Sequence, residues 1–305
     1  MNNKTKGILH LLLSAFSFAL MSMFISLAGD MPVYEKAFFR NFIAVILSVV
    51  LLLRSDEKFK IKKGSLPLLF MRASFGTVGL VCNFYAISKI NISDAMILNK
   101  LSPFFAVIAS IFILKEIADG HQWAAIVIAL IGAVFVVKPA FLFEAASNSG
   151  SIFPAAVGLL GGIAAGIAYT FMRKLSLKGE RSIVIVAFFS AFSCIAVIPF
   201  IIADYKPVTP MQLCYCLLGG LAACSGQLNI TAAYKACPAK EISVYDYSTV
   251  IFAAILGMLF LGEFPDYLSV IGYVIIIGAS VYSFIYNNHF AKRTKSHEKG
   301  AHPEG

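Results

Sequence analysis

Charged side chains are scarce in this chain. They make up 13% of its residues, against about 25% in an ordinary soluble domain, whereas hydrophobic residues make up 59%. The mean hydropathy is +0.83. Apolar runs near the length of about 20 residues that crosses a bilayer as a helix occupy most of the sequence. The composition therefore excludes an ordinary water-soluble domain and indicates a polytopic membrane protein with one membrane domain.

Signatures of catalysis and of metal binding are also missing. The sequence contains no HExxH, GxSxG or paired-acid motif. Its histidines lie near helix ends or in the tail: His10, His121, His289, His297 and His302. The six cysteines lack metal-binding spacing and are expected to be small buried hydrophobes. We therefore expect no enzyme, no metal and no cofactor. An intramembrane enzyme acting on a lipid-linked substrate is kept as the alternative, with a scaffold or passive pore third.

The positive charge, formally +9, is confined mainly to short loops. In a soluble protein this charge would suggest nucleic acid, but clusters of Lys and Arg between apolar runs are typical orientation signals. The largest cluster follows the second apolar run, and another occupies residues 173–181. The sequence therefore predicts both termini in the cytoplasm, a multi-pass protein of the plasma membrane, and no nucleic-acid partner.

Ten helices are expected from the apolar runs. The first could be taken for a signal peptide, but it is too long for one and more runs follow it. The predicted ranges are α1 7–28, α2 33–53, α3 66–88, α4 92–114, α5 122–137, α6 152–172, α7 183–202, α8 211–234, α9 242–261 and α10 267–286. We expect a first repeat at 1–139, a linker at 140–151, a second repeat at 152–286 and a polar, disordered cytoplasmic tail at 287–305.

Helix α4 has a weak copy in α9. A shift of 147 residues places Asp246, Thr249, Ala253 and Gly257 on Asn99, Ser102, Ala106 and Ser110. In both helices these positions form one small or polar face. Residues 37–42 similarly resemble 187–192, and Gly79 corresponds to Gly226. Because each half has an odd number of helices, the halves must be inverted relative to one another. Such repeats favour alternating access.

These segments resemble the drug/metabolite transporter superfamily, EamA type. The resemblance covers nearly the whole chain and rests on four segments: FFRNF in α2, RASFGTVGLVCNFYAISKINISDAMILNKLSPFFAVIASIFILKE across α3 and α4, IGAVFVVKP at the end of α5, and AAYKACPAKEISVYDYSTVIFAAILGMLFLGE in the second half. The resemblance implies an all-α membrane protein of ten transmembrane helices in two inverted five-helix repeats. It also implies a carrier of small molecules, often without a cofactor, and leaves the substrate open.

Intramembrane charges are the main candidates for a site, since a central Arg or Lys costs on the order of 3 kcal/mol on insertion scales. Arg40 and Lys100 are expected to face a cavity, whereas Arg72 is equally compatible with a structural role. Asp246 could bind a substrate amine, carry a coupling proton or pair with an intramembrane base, and pairing ranks first.

Polar residues on the same faces complete the predicted site. The substrate-binding candidates are Arg40, Asn83, Asn99, Lys100, Ser102, Gln227, Tyr245, Asp246 and Thr249. Pro103 lacks an N–H and is expected to break α4, whereas Glu116 and Glu263 at helix ends are expected to be loop or packing residues. The surplus of deep bases over deep acids favours an anionic or amino-acid-like metabolite as substrate. The other expected partners are the lipid bilayer, a coupling proton or ion, and a second copy in a homodimer.

Overall fold

A computed structural model of the chain describes residues 3–55, 60–115, 120–137, 152–236 and 243–300. Within these ranges the structure is helical and contains no strand. Nine helices of the described residues are long and apolar enough to cross a membrane, and Tyr245–Leu261 is a shorter apolar helix. The predicted fold class is confirmed. The predicted linker and Glu116 lie outside the described residues.

Eight of the ten helices are continuous. Their bounds are α1 Asn3–Leu27, α2 Val33–Leu53, α3 Leu66–Ile87, α5 Gly120–Val137, α6 Ile152–Leu177, α7 Ser182–Ala203, α8 Pro210–Ala236 and α10 Tyr267–Gly300. The other two are divided. Helix α4 consists of Ile92–Asn99 and Ser102–Ile113, and α9 consists of the 3-10 turn Ser243–Tyr247, the α-helix Ser248–Leu256 and the π-helical turn Gly257–Leu261.

The sequence predicts that residues 287–300 belong to a disordered tail beyond the last span. Helix α10 continues through them to Gly300. The sequence there is polar, but Ala, Lys, Arg and Glu are good helix formers, so a helix started in the membrane can extend beyond it.

The two halves are interleaved rather than side by side. Helix α1 packs against α8, and its counterpart α6 packs against α3. Three further contacts each join a helix to its own repeat mate: α2 with α7, α4 with α9 and α5 with α10. If each helix is replaced by its repeat mate, the same set of contacts results. A pseudo-two-fold axis therefore passes between the mated helices.

Equivalent glycines occupy equivalent interfaces. A Cβ atom at Gly79 of α3 would lie 3.2 Å from the carbonyl oxygen of Gly161 on α6. In the matching contact, a Cβ at Gly226 of α8 would lie 3.1 Å from the ring of Phe18 on α1. Ser14 of α1 also donates to the Gly226 carbonyl at 2.8 Å. The small residues permit the close backbone approach on which helix association in lipid depends.

Different contacts join the connecting segments at the two ends of the bundle. At the end where the α2–α3 and α6–α7 loops meet, called here the basic end, Glu180 accepts the Lys62 N–H at 3.0 Å. At the opposite end, Lys36 is fully buried, and its Nζ donates to Gly29 O and Ser88 Oγ, each at 2.8 Å. These bonds attach the start of α2 to the α1–α2 turn and to the end of α3.

Candidate functional site

Helix α4 is interrupted in the middle of the membrane span. Its first part ends at Asn99, its second begins at Ser102, and Pro103 stands in the first turn of the second part. Proline cannot donate a backbone hydrogen bond, so the normal pairing of residue 103 with residue 99 is missing. The N–H of Phe104 donates to the Leu101 carbonyl at 3.0 Å. Backbone groups in this interruption are available to neighbouring side chains.

The repeat mate α9 departs from α-helical geometry in a different way. It enters as the 3-10 turn Ser243–Tyr247 and leaves as the π-helical turn Gly257–Leu261. Val250 takes the place of Pro103 and lies within the regular α-helical part. Asp246 lies in the 3-10 turn, beside the interruption of α4. The 3-10 turn of α9 therefore meets the interruption of α4.

An ion pair joins the two irregular parts. Lys100 Nζ contacts Asp246 Oδ2, and the two side chains are only 14% and 23% exposed. Of the three roles predicted for Asp246, pairing with an intramembrane base ranks first, and this contact is such a pair. The other carboxylate oxygen, Oδ1, is buried and has no hydrogen-bond partner among the described residues. The pair therefore retains one acceptor that a bound group can use.

Tyr247 adds a second bond between α9 and the interruption of α4. Its hydroxyl donates to the Lys100 carbonyl at 3.3 Å and accepts from Ser280 of α10 at 2.5 Å. Tyr247 is not among the site residues predicted from the sequence. The repeat contains a signal for it, since the shift of 147 residues places Tyr247 on Lys100.

A second polar cluster lies where α2, α3 and α7 pack together. Arg40 Nη1 donates to Asn41 Oδ1 at 2.7 Å. The Arg72 guanidinium stands over the ring of Phe189, 4.4 Å from its centroid. Thr77 of α3 and Ser193 of α7 share a hydrogen bond of 2.6 Å nearby. Arg72 is near enough to Arg40 for the two charges to repel each other, whereas Lys100 pairs with Asp246.

The remaining predicted residues have different surroundings. Asn99 and Ser102 flank the interruption of α4 in sequence, and Tyr245 directly precedes Asp246. Thr249 is fully buried and donates to the Asp246 carbonyl at 2.6 Å, which satisfies it within its own helix. Asn83 is buried at the α3–α6 interface with no partner for Oδ1 in the described part of the chain, and Gln227 is exposed. The site role of Gln227 stays a prediction, and Asn83 lies where α3 packs against α6.

Glu263 lies at the opposite end of the bundle, past the last turn of α9. Its carboxylate accepts the Ile92 N–H, the first residue of α4, at 2.7 Å. Burial raises the pKa of this carboxyl above its ordinary value of 4.5, and the nearby Asp94 raises it further, against the lowering effect of the Ile92 hydrogen bond. Asp94 in turn accepts from Tyr273 at 2.6 Å. Glu263 thus connects α9 to α4 where these helices pack.

Comparison with known families gives a match over both halves of the chain. The model of the EamA-like transporter family matches residues 5–138 and again residues 152–285. The chain belongs to the EamA-like transporter family. It is accordingly a multi-pass helical protein of a family of membrane transporters for small molecules, as the resemblance in the sequence implies.

Named relatives of this EamA-like chain come from distant organisms. The pseudopaline exporter CntI of Pseudomonas aeruginosa is 33% identical over 278 residues, which cover 90% of this chain and 94% of that protein. Human solute carrier family 35 member G1 is 23% identical over 286 residues, covering 90% and 78%. A solved crystal structure superposes with a TM-score of 0.63 at 12% identity and covers 94% of this chain and 99% of its own, which supports the fold alone.

Proposed function

We propose that this protein is a secondary transporter that moves a small anionic or amino-acid-like metabolite across the plasma membrane by alternating access. The observation that carries the proposal is the Lys100–Asp246 ion pair, which joins the irregular parts of two repeat-related helices. An ion pair in an apolar surrounding stays favourable only while both charges are matched. A substrate that carries its own charges can take over one or both partners without leaving a buried charge unmatched.

The packing of α4 against α9 supports two alternating conformations. The first part of α4, Ile92–Asn99, packs closely against Ser248–Leu256 towards the opposite end. The pseudo-equivalent contact, between Ser243–Tyr247 and Ser102–Ile113, is not formed to a comparable extent in the described residues. Exchanging which contact is formed would open the site to the other end. Under the proposed topology, this conformation faces the cytoplasm.

Export is the direction we propose. The relative at 33% identity is named an exporter, and it matches this chain over 94% of its own length. A site accessible from the cytoplasm is the conformation in which an exporter loads its substrate. The neighbouring charges of Lys100 and Asp246 suit a substrate that carries a carboxylate and an amine.

The test is a flux measurement in proteoliposomes with a panel of labelled amino-acid-like and carboxylic metabolites. We expect counterflow of an unmodified compound through the wild-type protein and its loss in Lys100→Met. The matched control is Lys89→Met, an exposed lysine at the end of α3. Formation of a chemically altered product would favour the intramembrane enzyme, and normal counterflow in Lys100→Met would remove Lys100 from the site.

A further inference from the structure

The cluster between α2, α3 and α7 contains donors that have no acceptors. We define the arginine cluster as Arg40, Asn41, Arg72 and Ser190. Asn41 is fully buried and Ser190 is 1% exposed. Buried atoms with no hydrogen-bond partner among the described residues are Arg40 Nε, Asn41 Nδ2, Arg72 Nε, Arg72 Nη1 and Ser190 Oγ. Buried polar groups in folded proteins are nearly always satisfied, so each of these atoms requires an explanation.

The contacts that the arginines do make leave most of their hydrogen-bonding capacity unused. A guanidinium offers five N–H donors in a fixed fork and accepts none. Arg40 uses one nitrogen on the Asn41 amide oxygen, and Arg72 presents only its face to the Phe189 ring. No carboxylate in the described ranges forms an ion pair with either arginine. The cluster therefore has excess positive charge and excess donors, which an acceptor-rich anion would satisfy.

The position of the cluster links it to the transport path. Ser190 is the repeat equivalent of Arg40. The shift of 150 residues that matches residues 37–42 with 187–192 places Ser190 on Arg40. Because α2 and α7 are repeat mates that pack together, the pseudo-two-fold axis relates this pair of residues. Tyr169 of α6 lies near both guanidinium groups.

Helix α6 places the arginine cluster next to the interrupted helix. One turn before Tyr169, a Cβ atom at Gly166 would lie 2.6 Å from the Ser102 carbonyl oxygen. Thr170, the next residue, donates to the Ala106 carbonyl of α4 at 3.1 Å. The same turn of α6 thus touches α4 beside its interruption and, through Tyr169, lies near the arginine cluster.

We propose that the arginine cluster is an anion subsite that binds a carboxylate group of the transported substrate, an assignment that rests on the proposed function. The unpaired donors of Arg40, Arg72 and Asn41 donate to the carboxylate oxygens, which offer about four acceptor sites. The Phe189 ring holds the Arg72 guanidinium in a fixed orientation. Lys100 and Asp246 contact the remainder of the molecule.

The test measures binding directly, with malonate as the probe. Purified protein in detergent is titrated with sodium malonate, and its melting temperature is compared with that in sodium chloride of equal ionic strength. A ligand that binds the folded protein raises the melting temperature in proportion to its saturation of the site. We expect a saturable increase with malonate and none with malonamide, which has the same skeleton without charge. Inorganic phosphate tests the other common anion.

Variants assign the binding to the cluster. Arg40→Gln and Arg72→Gln are each expected to weaken the apparent malonate affinity about 10-fold or more, since each removes a charged hydrogen bond. The control Arg54→Gln removes the same charge at the exposed end of α2 and should leave the malonate affinity unchanged. Asn41→Asp supplies a carboxylate within the cluster. It should raise the melting temperature without ligand and abolish the response to malonate.

The outcomes separate the subsite from the proposed function. The subsite is overturned if malonate gives no saturable increase, if phosphate alone gives one, or if the increase persists in Arg40→Gln and Arg72→Gln. It is also overturned if Asn41→Asp binds malonate as the wild type does. The proposed function fails independently if no compound of the panel crosses proteoliposomes, because the malonate titration does not depend on flux.

Discussion

At the residue scale, Lys100 illustrates how one side chain can connect two halves of a membrane protein. Its ammonium group pairs with Asp246, while its carbonyl, in the interruption of α4, accepts from Tyr247. Lys100 and Tyr247 are repeat-equivalent, so both groups of Lys100 meet α9 close to the pseudo-two-fold axis. The sequence indicated the ion pair because few intramembrane charges were available. It did not indicate the carbonyl bond, which depends on where the backbone opens.

Removing either partner of the ion pair should destabilise the protein more than removing both. Lys100→Met leaves the Asp246 carboxylate unmatched, and Asp246→Asn leaves the ammonium unmatched, whereas the double variant leaves no charge. We expect a non-additive term of about 1–3 kcal/mol in the free energy of unfolding. The check is chemical denaturation of all four proteins in the same detergent. Additive losses would mean that the two side chains contribute independently.

At the element scale, α4 and α9 carry related sequences but have different shapes. The second part of α4 begins around Pro103, whereas the equivalent Val250 allows α9 to remain helical there. Sequence reasoning could identify a proline that removes a hydrogen bond. It could not predict the 3-10 and π turns of α9, because no residue type demands them and they depend on packing against α1, α4 and α10.

Replacing Pro103 with alanine should restore the missing backbone bond to Asn99. We expect Pro103→Ala to leave the melting temperature unchanged or slightly higher and to reduce flux, because the interruption that exposes the Lys100 carbonyl is removed. The control is Pro199→Ala in α7, where the helix continues through an exposed proline. The measurements are proteoliposome flux and melting temperature at equal expression. If Pro103→Ala transports normally, the proline affects only the shape of α4.

Glu263 should make the stability of the α4–α9 contact depend on pH. Its pKa in the folded protein is raised above 4.5 by burial and by Asp94, so its contribution to the free energy of unfolding is fully present below 4.5. That contribution is lost as the pH rises through the folded pKa. Glu263→Gln cannot ionise and can still accept the Ile92 N–H. Its melting temperature relative to the wild type should therefore increase as the pH rises from about 4.5 to 8. A difference that stays constant with pH would exclude this titration.

At the scale of the whole molecule, the interleaved halves make the bundle depend on an inverted insertion of the second repeat. Each large interface joins helices from different halves, so neither half contains its own core. The Lys62–Glu180 bond brings the two most basic loops to one end of the bundle.

Fusions placed after Gly64, Gly179 and Asn288 should all report cytoplasm, since basic loops remain on that side. A fusion after Gly29 is the control and should report the exterior. An exterior signal at Gly179 or Asn288 would contradict the ten-helix topology.

Composition and hydrophobic run length determined the membrane class, the number of spans and the five-plus-five division of this protein. They suffice because a span must be apolar over its whole length and must satisfy its backbone internally. The intramembrane charges also identified Lys100, Asp246 and Arg40 from their cost in lipid. Only the tertiary structure decided which charges meet. The rotation and crossing of the helices decide whether Arg40 lies near Lys100 or near Arg72, and whether Thr249 faces a cavity or bonds within its own helix. Contacts between segments distant in sequence determine that rotation and crossing.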